Sequence, residues 1–281
     1  MTNYDSSIVV EGLAFPEGPR WHEGAFWFTD QHARRVYKLD INNNLEIVLE
    51  TDDLPGGLGW LPDSSLLIVY MTRRQIMKWD GQQLSVYADL SDHASFHCND
   101  MVVDIEGRIY AGNFGFNLHA GDSQVPAELI LVDVNRAISV QSRDVIFPNG
   151  SVITPDNRLI VAETFANRLT EFSLDADGYI KSSSTWAELD DMTPDGICLD
   201  EDEGIWVASP GTNQVIRVKH GGNKVDYCKT LGTPYACMLG GEDKRTLYVC
   251  TSESDDPKKA AQIKSGRIEV AEVEYSGAGL P

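Results

Sequence analysis

The sequence predicts an all-β chain folded as a six-bladed β-propeller with four antiparallel strands per blade. Three observations predict it. A short Pro-centred phrase recurs six times, the recurrences stand at blade spacing, and each unit divides into brief strands with no amphipathic helix of useful length between them. The residue after each leading Pro, or after Cys98 in the third unit, is Glu17, Gly56, Asn99, Asn149, Asp195 and Tyr235, at intervals of 39, 43, 50, 46 and 40 residues. Propeller blades of about 40 to 50 residues have this period.

In the first unit, FPEGPRWHEGAFWFTDQHARRVYKLD, "GPRWH" turns at "EG" into "AFWFTD", and "RRVYKLD" turns at "INNN" into "LEIVLE", which makes four strands. The second unit, LPGGLGWLPDSSLLIVYMTRRQIMKWD, turns at "PDSS", and the third, HCNDMVVDIEGRIYAGNFGF, at "IEG". The fourth, FPNGSVITPDNRLIVAETFANRLTEFSLD, turns at "TPDN" and runs on to "DADG". The fifth, TPDGICLDEDEGIWVASPGTNQVIRVK, and the sixth, TPYACMLGGEDKRTLYVC, repeat the β-branched and aromatic runs between turn residues. The N-terminal "SSIVVEGL" and C-terminal "RIEVAEVEY" also read as strands. Their pairing in one blade would close the ring and remove exposed edges, so residues 1–281 are expected to form a single propeller domain.

Composition narrows the function. A hydrophobic fraction of 42% with 23% charged residues describes an ordinary soluble globular chain. A formal net charge of -20, with no Lys/Arg cluster, excludes nucleic acid as the expected partner. No stretch approaches the ~20 apolar residues that span a bilayer, and "MTNYDSSIVVEGL" lacks the n- and h-regions of a secretory signal, so no membrane partner and a cytoplasmic location are expected. The five cysteines include no C-x-x-C pair and lie mostly in apolar runs, which predicts buried thiols.

In a propeller the first strands of all blades run in one direction along the central channel. Glu17, Gly56, Asn99, Asn149, Asp195 and Tyr235 are therefore expected around one end of it. Two carboxylates and two amides there are hard oxygen donors, suited to one divalent cation: calcium first, magnesium or manganese next, zinc less naturally. Asn and Asp after Pro are also common turn formers, but turn chemistry gives no reason to choose the same register in four blades. The second strands end at Asp30, Tyr70, Asn113, Glu163, Ser209 and Ser252 on the same face. Two long insertions, "NFGFNLHAGDSQVPAE" and "SESDDPKKAAQIKSGR", are expected to overhang that face as pocket walls. Phe114, Phe116 and Phe165 would line the pocket, and His97 would point into it as a donor to substrate.

The segments "FPEGPRW", "FPNGSVITPDNRLIVAETFANRL" and "TPDGICLD" resemble the signature segments of the gluconolactonase, senescence-marker-protein and luciferin-regenerating-enzyme family across nearly the whole chain. The resemblance implies a six-bladed propeller with a central divalent ion, usually calcium. It implies Glu17, Asn149 and Asp195 as metal ligands and Asn99 as the channel asparagine that binds substrate or completes the metal site. One departure is informative. Sugar-lactonase members often carry R-x-N-D at the channel Asn, whereas this chain reads "HCND" with His97 in the Arg place, leaving both an aldonolactone and a less polar or aromatic lactone open.

The expected activity is divalent-metal-dependent opening of a small-molecule lactone. The metal polarises the carbonyl, and Asp195 or metal-bound water supplies the nucleophile. Phosphotriester hydrolysis is an alternative, because propellers that catalyse it resemble this site in carrying a Glu, Asn, Asn, Asp calcium cluster. A non-catalytic calcium-binding propeller is another. The chain has no G-x-S-x-G elbow, Walker A loop, G-x-G-x-x-G or H-E-x-x-H.

Overall fold

The computed structural model describes residues 1–281. Its strands form six sheets, and each sheet is a blade whose first strand lies at the axis. Blade 1 comprises Pro16–His22, Ala25–Asp30, Arg35–Leu39 and Leu45–Glu50, the four strands that the turn signals predict. The inner strands of blades 2 to 6 are Pro55–Trp60, Cys98–Val103, Pro148–Ile153, Ile197–Leu199 and Thr233–Gly240. Each inner strand packs against the inner strands of both neighbours, which closes the ring.

Closure takes the predicted form. Ser7–Leu13 pairs antiparallel with Gly266–Glu272, from Ser7 opposite Val270 to Leu13 opposite Gly266, so blade 6 borrows its outer strand from the N-terminus. Blade 5 has a fifth strand that the repeat did not predict: Thr2–Asp5 runs parallel to Asn223–Lys229 at its outer edge. Both additions pair backbone groups that a blade edge would leave open.

Alternation of apolar residues puts the core between blades. Phe26 of blade 1 is fully buried and stacks on Tyr248 of blade 6 with centroids 4.3 Å apart. Burying such a side chain contributes about 1.5–3 kcal/mol. All five cysteines are buried free thiols.

Two features of the inner strands aim side chains at the channel. In five blades the pairing of first and second strands slips at the repeated position: Glu17/Arg20, Pro55/Leu58, Cys98/Met101, Pro148/Ser151 and Pro234/Ala236. A bulge of this kind bends the strand and re-aims the residue at the slip. Close approach of the strands is the second feature. The Gly150 amide donates to the Asp195 carbonyl at 3.2 Å, and a Cβ on Gly150 would lie 2.6 Å from the Ile197 nitrogen. Glycine after the repeated residue lets adjacent blades meet there.

The second-strand ends serve the scaffold. Asp30 accepts from the Ala14 and Phe15 amides at 2.8 Å each, and the buried Glu163 accepts from the Ile146 amide at 2.7 Å and pairs with Arg168 at 2.8 Å. These carboxylates tie each incoming linker to its blade, at the cost of burial that their hydrogen bonds offset. The overhanging insertion of blade 6 contains one short helix, Pro257–Ile263, where sequence reading expected none of useful length. Asp256 caps it by accepting from the Lys259 amide, and Pro257 opens it.

Candidate metal and substrate site

The inner strands lead into one cavity of about 580 Å³ at the mouth of the channel. Glu17, Asn99, Asn149 and Asp195 all line it, drawn from blades 1, 3, 4 and 5. Tyr235 of blade 6 lines it as well, with its ring edge-on to Phe15 at 4.7 Å. Gly56, the second-blade equivalent, has no side chain, and a Cβ there would lie 2.4 Å from the Asn99 carbonyl oxygen.

The charges at this floor are under tension. Burial pushes the Glu17 carboxyl up to about 7; the Gly18 amide, donating to it at 2.7 Å, works against this, Asp100 adds to it and Arg20 offsets it. Burial raises Asp195 well above the ordinary carboxylate range, and the nearby Glu17 and Asp100 raise it further. Two carboxylates in one low-dielectric cavity repel one another. Asp100 has its own partner, the buried Arg20, at 2.5 Å.

The amides are held differently. Asn149 donates to the Thr164 hydroxyl at 3.2 Å, and Thr164 donates to the Pro194 carbonyl at 2.8 Å, a relay that fixes the amide beside Asp195. Asn99 is buried, yet its Nδ2 has no hydrogen-bond partner in the protein. A buried amide group left unpaired costs about 1–3 kcal/mol. An oxygen-only donor set, mutually repelling carboxylates and an orphaned amide together fit a hard divalent cation with a substrate beside it.

Above the floor, one wall is aromatic. Phe114 stacks on Phe147 at 4.4 Å, and Phe165 stands edge-on to Phe147 at 5.0 Å. Phe116 does not line the cavity: it is buried behind the wall, packed on Phe147 and Phe165 at 5.7 and 5.9 Å. The expectation for Phe116 is corrected accordingly, since its loop turns it inward and Phe147 takes the lining position. His97 lines the cavity beside Phe114, stacked on Phe96 at 4.2 Å, and burial holds its imidazole below the usual value.

Sequence reading missed a good part of the lining, although the repeat carried the signal. Phe15, Leu54, Phe147 and Thr193 each stand two residues before a ring position, as His97 does, and all line the cavity. Gln31, Met71, Thr164 and Pro210, each one residue past a second-strand end as the expected Phe114 is, line it too. The overhanging insertions add His119 and Asp255.

Residues 15–253 match the family model described as SMP-30/Gluconolactonase/LRE-like region. The chain is 26% identical over 259 residues to a 6-deoxy-6-sulfogluconolactonase of Pseudomonas putida, covering 88% of this chain and 87% of that protein. Among solved structures, luciferin-regenerating enzyme superposes with a TM-score of 0.84 at 18% identity, covering 99% of this chain and 98% of the other. A regucalcin from Agrobacterium tumefaciens, described as a calcium-binding protein, gives 0.83 at 20% identity, with 100% and 98% covered.

Proposed function

Since the chain belongs to the SMP-30/gluconolactonase/LRE-like family, we propose that it is a divalent-cation-dependent hydrolase that opens lactone rings. The observation that carries the reading is the convergence of Glu17, Asn99, Asn149 and Asp195, from four blades, on the floor of one cavity. The lactone in the name of the Pseudomonas putida relative and the calcium-binding description of the Agrobacterium protein accord with it. Glu17, Asn149 and Asp195 would hold the cation, with calcium favoured by oxygen-only ligation and zinc, magnesium and manganese as alternatives.

A bound cation supplies Lewis-acid chemistry, drawing electron density from an ester carbonyl. The chain's own residues do the rest. The unpartnered Asn99 Nδ2 donates to the lactone and orients it. An Asp195 Oδ takes the proton from the attacking water and returns it to the alkoxide as the ring C–O bond breaks, leaving a hydroxy acid. Glu17 anchors the ion, and the phenylalanine wall keeps bulk water from the carbonyl.

The test is to strip the protein with chelator, restore calcium, manganese, magnesium or zinc singly, and follow lactone opening in a pH-stat. Turnover is expected to vanish on stripping and return with a restored ion. Undiminished turnover in stripped protein contradicts cation dependence, and ion binding without turnover of any lactone contradicts catalysis.

A further inference from the structure

We infer that the lactone this cavity selects is uncharged and carries a flat apolar substituent, such as an aryl group, rather than a polyhydroxylated or anionic one. The inference rests on the lactone-hydrolase reading and concerns the same site. Its ground is the uneven distribution of chemistry around the cavity. Hydrogen-bonding groups concentrate on the floor and on the side formed by blades 1, 5 and 6, whereas blades 2 to 4 present Leu54, Met71, Phe114, Phe147 and Phe165. The three phenylalanines hold each other at centroid distances of 4.4 and 5.0 Å and are backed by Phe116, so the surface is preorganised for stacking.

A polyol placed against this wall leaves hydroxyls without partners once water is displaced, and an aryl ring loses nothing there. The polar side chains on that side above the floor are His97, stacked flat on Phe96, His119 from the blade 3 insertion, and Thr164, whose hydroxyl is already committed to Asn149 and the Pro194 carbonyl.

Charge points the same way. No Lys or Arg lines the cavity, while Glu17, Asp195 and Asp255 do, and the chain as a whole carries -20. With one divalent cation bound, those three carboxylates leave the site without a surplus positive charge for a sulfonate or phosphate, and the long-range field repels anions. The site thus differs in expected preference from the Pseudomonas putida relative, whose named lactone bears a sulfo group.

The test uses cation-restored protein and four lactones: δ-valerolactone with a phenyl group on a ring carbon away from the ester, unsubstituted δ-valerolactone, D-glucono-δ-lactone and 6-deoxy-6-sulfogluconolactone. Each kcat/KM is divided by the uncatalysed rate, which removes differences in intrinsic reactivity. The phenyl lactone is expected to exceed gluconolactone by about 100-fold, a discrimination within reach of an apolar pocket, with the sulfonated lactone slowest. Phe165→Ala, at a partly exposed turn position, is expected to reduce the phenyl preference about ten-fold.

Binding of the hydrolysis-resistant phenyl-δ-valerolactam, measured by calorimetry, supplies a readout independent of turnover. Gluconolactone or its sulfonated analogue turned over as well as the phenyl lactone overturns the substrate inference and leaves lactone hydrolysis standing. Lactam binding with no lactone turned over overturns hydrolysis and supports apolar docking, and neither binding nor turnover overturns both.

Discussion

Asp195→Asn is expected to lower kcat for lactone opening about 10³-fold at saturating cation, within the range lost with a general base, and to leave the propeller folded. The substitution keeps the shape of the side chain and one coordinating oxygen but removes the basic carboxylate. Because Asp195 sits in the channel with burial and Glu17 both opposing its charge, the amide also relieves a repulsion. The chelator-stripped variant should therefore unfold at higher denaturant than stripped wild type. Its cation affinity should fall, so turnover must be read at saturating ion. An unchanged kcat under those conditions would exclude Asp195 as the base.

The second large effect is on stability against pH in chelator-stripped protein. Glu17 is raised from 4.5 to about 7 on folding. Between those values the folded state binds more protons than the unfolded chain, so the unfolding free energy falls as pH rises. The destabilisation is absent below about pH 4 and complete above about pH 7; at about 1.4 kcal/mol per unit it amounts to about 3 kcal/mol from Glu17, and Asp195 adds to it in the same direction. His22, His32 and His97, all lowered chiefly by burial, act in the opposite sense near pH 6 because the unfolded chain holds their protons longer.

The difference between wild type and Glu17→Gln isolates the carboxylate. Urea unfolding from pH 4.5 to 8 should show that difference growing in favour of the variant as pH rises, and saturating calcium should reverse it. A difference independent of pH would mean that Glu17 is not held in the cavity as described.

The sequence carried the fold almost whole because a propeller repeats one local solution six times. The unit that turns at "EG" and "INNN" became Pro16–His22, Ala25–Asp30, Arg35–Leu39 and Leu45–Glu50, and "SSIVVEGL" met "RIEVAEVEY" in one blade. Thr2–Asp5 escaped notice because it stands outside the four-strand repeat and its pairing partner, Asn223–Lys229, lies more than two hundred residues away. The helix at Pro257 was readable in principle from Asp256 as cap followed by Pro, but seven residues are too few for periodicity to register.

The site was legible at one register only. Asp30 and Glu163 end their strands and turn into the scaffold, while Gln31 and Thr164, the first residues of the turns that follow, line the cavity. Phe15, Leu54 and Phe147 lie just ahead of the inner strands, where the linker and not strand periodicity sets their direction, and they line the cavity two residues before the ring. Phe114 and Phe165 line the cavity, whereas Phe116 was misplaced because loop direction is set by packing that the sequence does not display.

The proposed centre takes oxygen donors from three blades to one ion at the channel mouth, with the Asn99 amide of a fourth beside it. A long-wavelength anomalous-difference map from crystals grown with calcium tests it most directly. The expected result is one strong peak bounded by oxygens of Glu17, Asn149 and Asp195 at about 2.3–2.6 Å. Calcium peaks confined to the acidic outer surface, with none between those three side chains, would contradict it.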